Sequence, residues 1–271
     1  MKRIAAVAVL ALATTAVAWG ARPTKAPEPF ASKGSFSVCV DIGFAPMEYY
    51  AKVGSTTPTG FDVDAAKAVA KLWGVQVKFV PTAFTGLLPA LSSKKCDLIW
   101  SGIFVTPERT KQFPAVGYMK THRALLVKAG NPEHITSPQS LSGKTASTEA
   151  GTKYVDTLKA LDKQLKTQGK PGVTIQTYPK ASDASAAVLA GRADAALTQD
   201  TEAAFRITSN KGKFLIAYLY PQSDTFGVYY RRGDAAVGPA LSSAFKTLKA
   251  NGTLKRIAKK YHLPLSDLGL K

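Results

Sequence analysis

Cysteine, histidine and acidic side chains are all scarce in this chain of 271 residues. The three histidines, His122, His134 and His262, are far apart and match no metal-ligand spacing. No metal and no other cofactor is expected. A phosphate-binding loop, a dinucleotide-binding glycine fingerprint and a nucleophile elbow are all missing. Only 18 acidic residues face 36 lysines and arginines, so the net charge is +18. Such a balance favours anionic partners in general. The lysines are scattered rather than clustered with aromatics, which gives no nucleic-acid motif. The excess is read as a solvated basic surface.

Long apolar runs are equally rare. One opens the chain, where Lys2 and Arg3 precede an apolar stretch from Ile4 to Val17 and small residues follow. A basic start, a short apolar core and a small-residue end describe a secretory signal peptide over residues 1–20. The run is short for a membrane span. No cysteine follows the cleavage region, so a lipid anchor is not expected. Residues 21–33, rich in Pro, Lys and Ala, read as a mobile leader. Export follows. An exported chain with two cysteines, Cys39 and Cys96, invites a disulfide. Both sit in apparent buried strands, however, and neighbouring parallel strands rarely place two cysteines suitably. Two buried thiols are the expectation, and neither looks catalytic.

The remaining sequence alternates strands and helices. Ser35–Val40 reads as a buried strand ending at the polar Asp41. Met47–Tyr50 and 54–60 read as a short extended pair around a turn. Asp62 is a candidate N-cap for a helix whose apolar residues, Val63 to Trp73, fall at helical spacing before Gly74 stops it. Val75–Val80 is a second strand, Phe84 to Leu91 a second helix with Pro89 near its first turns, and Asp97–Ser101 a third strand. This β-α-β-α-β order implies a parallel sheet flanked by helices. The pattern recurs over 144–198. The wording recurs too: LSSKKCD at 91–97 and LAGRAD at 189–194 each precede an apolar strand. Two similar α/β lobes are expected, joined by apolar strands within 118–130 and 225–234. Lobe 1 covers 34–120 plus 233–271, and lobe 2 covers 121–232.

Residues 60–109, GFDVDAAKAVAKLWGVQVKFVPTAFTGLLPALSSKKCDLIWSGIFVTPER, carry a resemblance. They are similar to the polar amino-acid-binding proteins of bacterial ABC importers, solute-binding family 3. The ending NGTLKRIAKKYHL is also typical, and the likeness covers about residues 35–265. It implies a two-lobed, hinged fold (a Venus-flytrap) whose lobes are mostly parallel sheets flanked by helices. It further implies a periplasmic receptor that closes over a polar amino acid and delivers it, as a monomer, to an inner-membrane permease.

Ligands in open α/β sheets bind beyond the carboxyl ends of strands. That criterion selects Asp41–Phe44, Ser101–Phe104, Glu149–Lys153 and Gln199–Asp200, the segments that carry ligand contacts in the family. Arg109 offers a planar fork for a carboxylate. Gly102 and Phe104 line the same turn, and Ser101 keeps a polar role. Phe44 and Phe84 match the family's two sandwiching aromatics, while Trp100 is expected in the core. Asp41 matches the aspartate that takes a distal cation, and Glu149 adds a second carboxylate. Glu48 reads as part of a surface turn. Gly151, Thr152 and Lys153 form an anion loop at a helix N-terminus.

Two positions depart from the family. Phe104 stands where Ser or Thr is common, and Gln199 where an aspartate pairs with the α-ammonium. Either Asp200 turns inward, or Gln199 accepts a weaker bond, or the ligand lacks a primary amine. Asp200 is the expected partner. Asp41 and Glu149 lean toward a cationic ligand. The rival class is an enzyme, since cyclohexadienyl dehydratases look like these receptors and use cleft carboxylates as acids.

Overall fold

A computed structural model of the chain describes residues 24–269. The expected signal peptide lies outside the described residues. The expected mobile leader does not reach residue 33. A single helical turn, α1 (Phe30–Lys33), docks Phe30 fully buried against Phe36 and Trp73. One aromatic ring amid Pro, Lys and Ala is enough to anchor the segment, because burying it removes a large apolar area from water.

The first repeat runs β1 (Ser35–Val40), α2 (Phe61–Trp73), β2 (Gln76–Pro81), α3 (Leu87–Ser92) and β3 (Leu98–Ile99). The helix α2 buries Phe61, Ala65, Val69 and Trp73 on one face and ends at Gly74, whose φ of 68° suits a C-cap. Its N-cap is Gly60, not Asp62. Gly60 is obligatory there, since a Cβ would sit 2.0 Å from the Met47 carbonyl oxygen. Pro89 is the third residue of α3, where its missing N–H costs no helical bond. Residues 44–59 fold as a short pair, with Phe44 bridging Glu48 and Tyr49 bridging Thr59.

A short helix, α4 (Pro107–Gln112), leads into the long strand β4 (Ala115–Lys128). The second repeat follows as β5 (Thr145–Glu149), α5 (Lys153–Thr167), β6 (Thr174–Tyr178), α6 (Ala181–Leu189), β7 (Ala195–Gln199) and α7 (Asp200–Ser209). The chain returns through β8 (Phe214–Tyr230) and closes with α8 (Val237–Ala250) and α9 (Thr253–Lys260).

The described strands form one sheet in the order β2-β1-β3-β8-β4-β7-β5-β6. On either side of the antiparallel pair β4–β8, a parallel trio repeats the same arrangement. This is the two-lobed architecture, with β4 and β8 shared by both lobes. Register shifts at Gly117/Met119, His122/Ala124 and Leu125/Leu126 bend the shared pair as it crosses from one lobe to the other. Trp100 is fully buried against Tyr118 and Phe245, as expected of a core residue.

The cysteines correct the expectation of two thiols. Cys39 and Cys96 are bonded, with Cα atoms 5.7 Å apart. Only Cys39 lies in a strand. Cys96 precedes β3, in irregular chain, so the parallel-strand geometry that argued against a bond does not apply. The separation falls in the range that a disulfide spans without backbone movement.

Candidate functional site: a cleft between the lobes

Both parallel trios point their carboxyl ends at one cleft, and the loops that follow build a small pocket whose enclosed volume is about 10 Å³. Eleven of the thirteen residues singled out from the sequence line it; Gly151 and Asp200 do not.

Lobe 1 supplies the cationic wall. Thr106 caps α4 by accepting from the Arg109 N–H, which fixes the start of the helix that carries Arg109. The guanidinium donates to the Phe104 carbonyl at 3.0 Å and lies 5.5 Å from the Phe84 ring centroid. It has no salt-bridge partner among the described residues. Burial pushes it below the ordinary arginine value, a sign that its charge lacks compensation. The Phe104 carbonyl also accepts from the Tyr229 hydroxyl at 2.7 Å. Ile103 and Val105 carry the flanking bonds to β8, which leaves the Phe104 N–H outside that ladder. The Phe104 ring stacks on Phe226 and meets Tyr154 edge-on.

Gly102 has a φ of +46° and a Cβ there would meet the Phe44 ring at 2.4 Å. The glycine therefore lets Phe44 lie flat against the turn. Phe44 also packs edge-on to Phe226.

The acidic side of lobe 1 is a buried network. The Ser101 hydroxyl accepts from the Asp41 N–H at 2.8 Å and donates to Glu48 at 2.9 Å. Ser101 thus positions two acids. Glu48 corrects the surface-turn expectation: it is 0% exposed and lines the pocket. The turn that carries it folds inward through the Phe44–Glu48 bridge. Burial, then the neighbouring Asp62, push the Glu48 carboxyl well above the carboxylate range. Asp62 is no N-cap. Its carboxylate accepts from the Gly102 N–H at 2.8 Å and the Tyr118 hydroxyl at 2.7 Å, and burial lifts it to about 6.

Lobe 2 contributes Glu149 at the end of β5, Gln199 at the end of β7 and the first turn of α5. Thr152 is the α5 N-cap residue, so the leading N–H groups of α5 open at the pocket. Gly151, with φ +76°, lies against lobe 1: a Cβ would stand 2.7 Å from the Thr85 methyl. The Lys153 ammonium turns outward to Asp156 at 3.1 Å and to Glu108 of lobe 1 at 3.5 Å. Glu149 is 4% exposed, and burial followed by the facing Asp41 push its carboxyl well up.

Asp200 corrects the expected ammonium partner. It opens α7, and its carboxylate accepts from the Thr121 hydroxyl at 2.6 Å and the Thr201 N–H at 2.7 Å, away from the pocket. Gln199 lines the pocket instead, with a buried Oε1 that has no donor. Tyr154 also lines the pocket and was missed; its place just past the anion loop was the available signal.

The unsatisfied atoms characterise the site. Asp41 Oδ2, Glu48 Oε2, Glu149 Oε1 and Gln199 Oε1 are all buried acceptors without a donor, and all four residues line this one pocket. Unpaired buried acceptors are costly, so a complementary guest would bring N–H donors and positive charge. Arg109, which lines the same pocket, calls for an anion.

Fold and site define a two-lobed solute receptor. The model of the bacterial extracellular solute-binding proteins, family 3, matches residues 36–264, and the chain belongs to that family. It is similar to the L-cystine-binding protein TcyJ of Escherichia coli K12, at 26% identity over 84% of this chain and 83% of that protein. Among solved structures, an ancestral arginine-binding protein bound to arginine superposes with a TM-score of 0.77 at 30% identity, over 84% of this chain and 98% of the other. The ancestral amino-acid-binding protein AncCDT-1, described as a precursor of cyclohexadienyl dehydratase, gives 0.74 at 30% identity over 86% and 97%. No helix among the described residues is long and apolar enough to cross a membrane.

Proposed function

We propose that this protein is an exported receptor that captures a cationic amino acid by cleft closure and delivers it, as a monomer, to an inner-membrane ABC permease. One observation carries the reading. A guanidinium with no acidic partner, Arg109, and the paired acids Asp41 and Glu149 line the same small pocket. An amino acid with a charged side chain bears the complementary charges at its two ends. Arg109 takes the α-carboxylate, helped by the leading N–H groups of α5 from the other lobe. Ligand contacts from both lobes are what favours the closed arrangement over an open one. In this reading Gln199 and Glu48 share the α-ammonium, since Asp200 faces elsewhere. The lobes divide within β4 and within β8, the two hinge strands, so that the end of β8, paired with β3, goes with lobe 1. Residues 1–20 direct export to the periplasm and are removed.

Thermal denaturation against the twenty amino acids, ornithine and citrulline tests this. A ligand that binds only the folded state raises the melting temperature by mass action. A rise with arginine, lysine, ornithine or histidine is expected. A rise confined to acidic or apolar amino acids would overturn the cationic assignment.

A second reading, a dehydratase-type lyase on the same scaffold, draws on the likeness to AncCDT-1 and on the pocket carboxyls that burial pushes well above the carboxylate range. Incubation with prephenate or arogenate and an absorbance scan for the aromatic product separates it from the receptor.

A further inference from the structure

Two carboxyl groups meet from opposite lobes. Asp41 follows β1 and Glu149 ends β5; they are 3% and 4% exposed and within hydrogen-bonding reach of each other. Each keeps one buried oxygen, Asp41 Oδ2 and Glu149 Oε1, with no donor among the described residues. Two ionised carboxylates packed this closely in a dry site repel strongly, so the pair holds a proton between them. The surroundings set where it sits. Lys180, in the turn before α6, favours an ionised Asp41, while Asp183 of α6 opposes it. Glu48 stands behind Asp41 in lobe 1. Glu149 faces Asp41 and the more distant Glu202 of α7, a negative charge partly offset by Arg206. Its relief is the Ala181 N–H, and the uncharged Tyr154 of α5 lies nearby.

We propose that Asp41 and Glu149 form a proton-holding clamp across the cleft: closed on itself it keeps one proton, and a cationic ligand side chain entering between the carboxyls displaces that proton to solvent. The clamp deepens the reading of the pocket as a cationic amino-acid site and rests on it. It makes capture a cation-for-proton exchange. At the acidic end of the range, affinity then falls about tenfold per pH unit, as one exchanged proton requires. An acidic medium would favour release.

The test is calorimetric titration of the full chain with L-arginine and L-lysine in two buffers of different ionisation enthalpy, from about pH 5 to about pH 8, a span that starts above the ordinary carboxylate range. Release of about one proton per bound ligand at the acidic end, fading at the alkaline end, is expected. L-citrulline, neutral at its tip, releases none. Glu149→Gln binds the cationic probes more weakly and loses the proton release, and Asp41→Asn does the same from the other lobe. Binding with identical heats in both buffers at every pH overturns the clamp and leaves the receptor standing. Failure of every cationic probe to bind overturns both.

Discussion

The two lobes share one scaffold and furnish different halves of a site. The shared part reaches single atoms. In lobe 1 the Asp97 carboxylate accepts from the Ser37 N–H at 2.8 Å, tying the strand that follows it to the first strand of the trio. In lobe 2 Asp194 accepts from the Thr145 N–H at 2.7 Å and does the same. These are the two aspartates at the ends of the repeated wording. The loops diverge. Lobe 1 spends residues 41–60 between β1 and α2 and fills them with Phe44, Glu48 and a bridged turn. Lobe 2 crosses from β5 to α5 in three residues and offers backbone N–H groups instead. The strand trios keep the fold while the connections carry the chemistry, as connections on a rigid scaffold commonly do.

The disulfide is the largest asymmetry, since only lobe 1 has one. It closes a loop of 57 residues, for which chain-entropy arguments give roughly 4 kcal/mol. The double variant Cys39→Ala/Cys96→Ala is expected to lower the urea midpoint accordingly. Native-state hydrogen exchange should then show lobe 1 opening before lobe 2. An unchanged midpoint would mean that the bond does not contribute to stability.

Next in size is Arg109→Ala. It removes the only cation assigned to the ligand carboxylate, an interaction of about 3 kcal/mol, or roughly a hundredfold in affinity. The melting temperature without ligand should hardly move, because the guanidinium has no acidic partner to orphan. Retained affinity would sink the carboxylate assignment.

The matched aspartates sharpen the comparison further. Asp97→Ala should cost more than Asp194→Ala, within about 1–3 kcal/mol for each. The reason is that Asp97 also bonds the Ser37 hydroxyl at 2.8 Å and Arg231 at 3.2 Å. Equal losses in urea unfolding would show that these extra contacts contribute nothing.

The smallest effect is on the pH profile of the unliganded protein. Burial raises the folded values of Asp41, Glu48, Glu149 and Glu202, and lifts Asp62 to about 6. A carboxyl raised on folding stabilises the native state below its unfolded value, and this contribution is lost as pH rises through the folded value. Stability should therefore decline as pH climbs from about 4 through about 6 and beyond. Glu48→Gln should flatten the decline, and a slope unchanged by that variant would remove Glu48 from the account.

Much of this was legible in the sequence, and the failures have physical causes. Helix α2 and its Gly74 stop follow from spacing and a left-handed cap. The lobe repeat follows from two aspartates after two helices. Glu48 was misplaced because an extended pair with a polar residue looks the same folded outward or inward, and only the Phe44 bridge decides. Asp200 was misassigned because one residue of difference in where β7 ends exchanges it with Gln199. Asp62 looked like a cap because its buried partners, Tyr118 and the Gly102 N–H, lie 56 and 40 residues away. Cys96 was taken for a strand residue, and with that the disulfide was lost. Tertiary partners settled all four.

The most direct measurement is the affinity of the purified protein for L-arginine beside L-citrulline, which share a backbone and differ in the charge at the tip. Tighter binding of L-arginine by at least about tenfold, roughly one exposed-to-buried charge interaction, is the predicted result. Equal affinity for the two, or tighter binding of L-citrulline, would contradict a pocket that combines Arg109 with the Asp41–Glu149 pair.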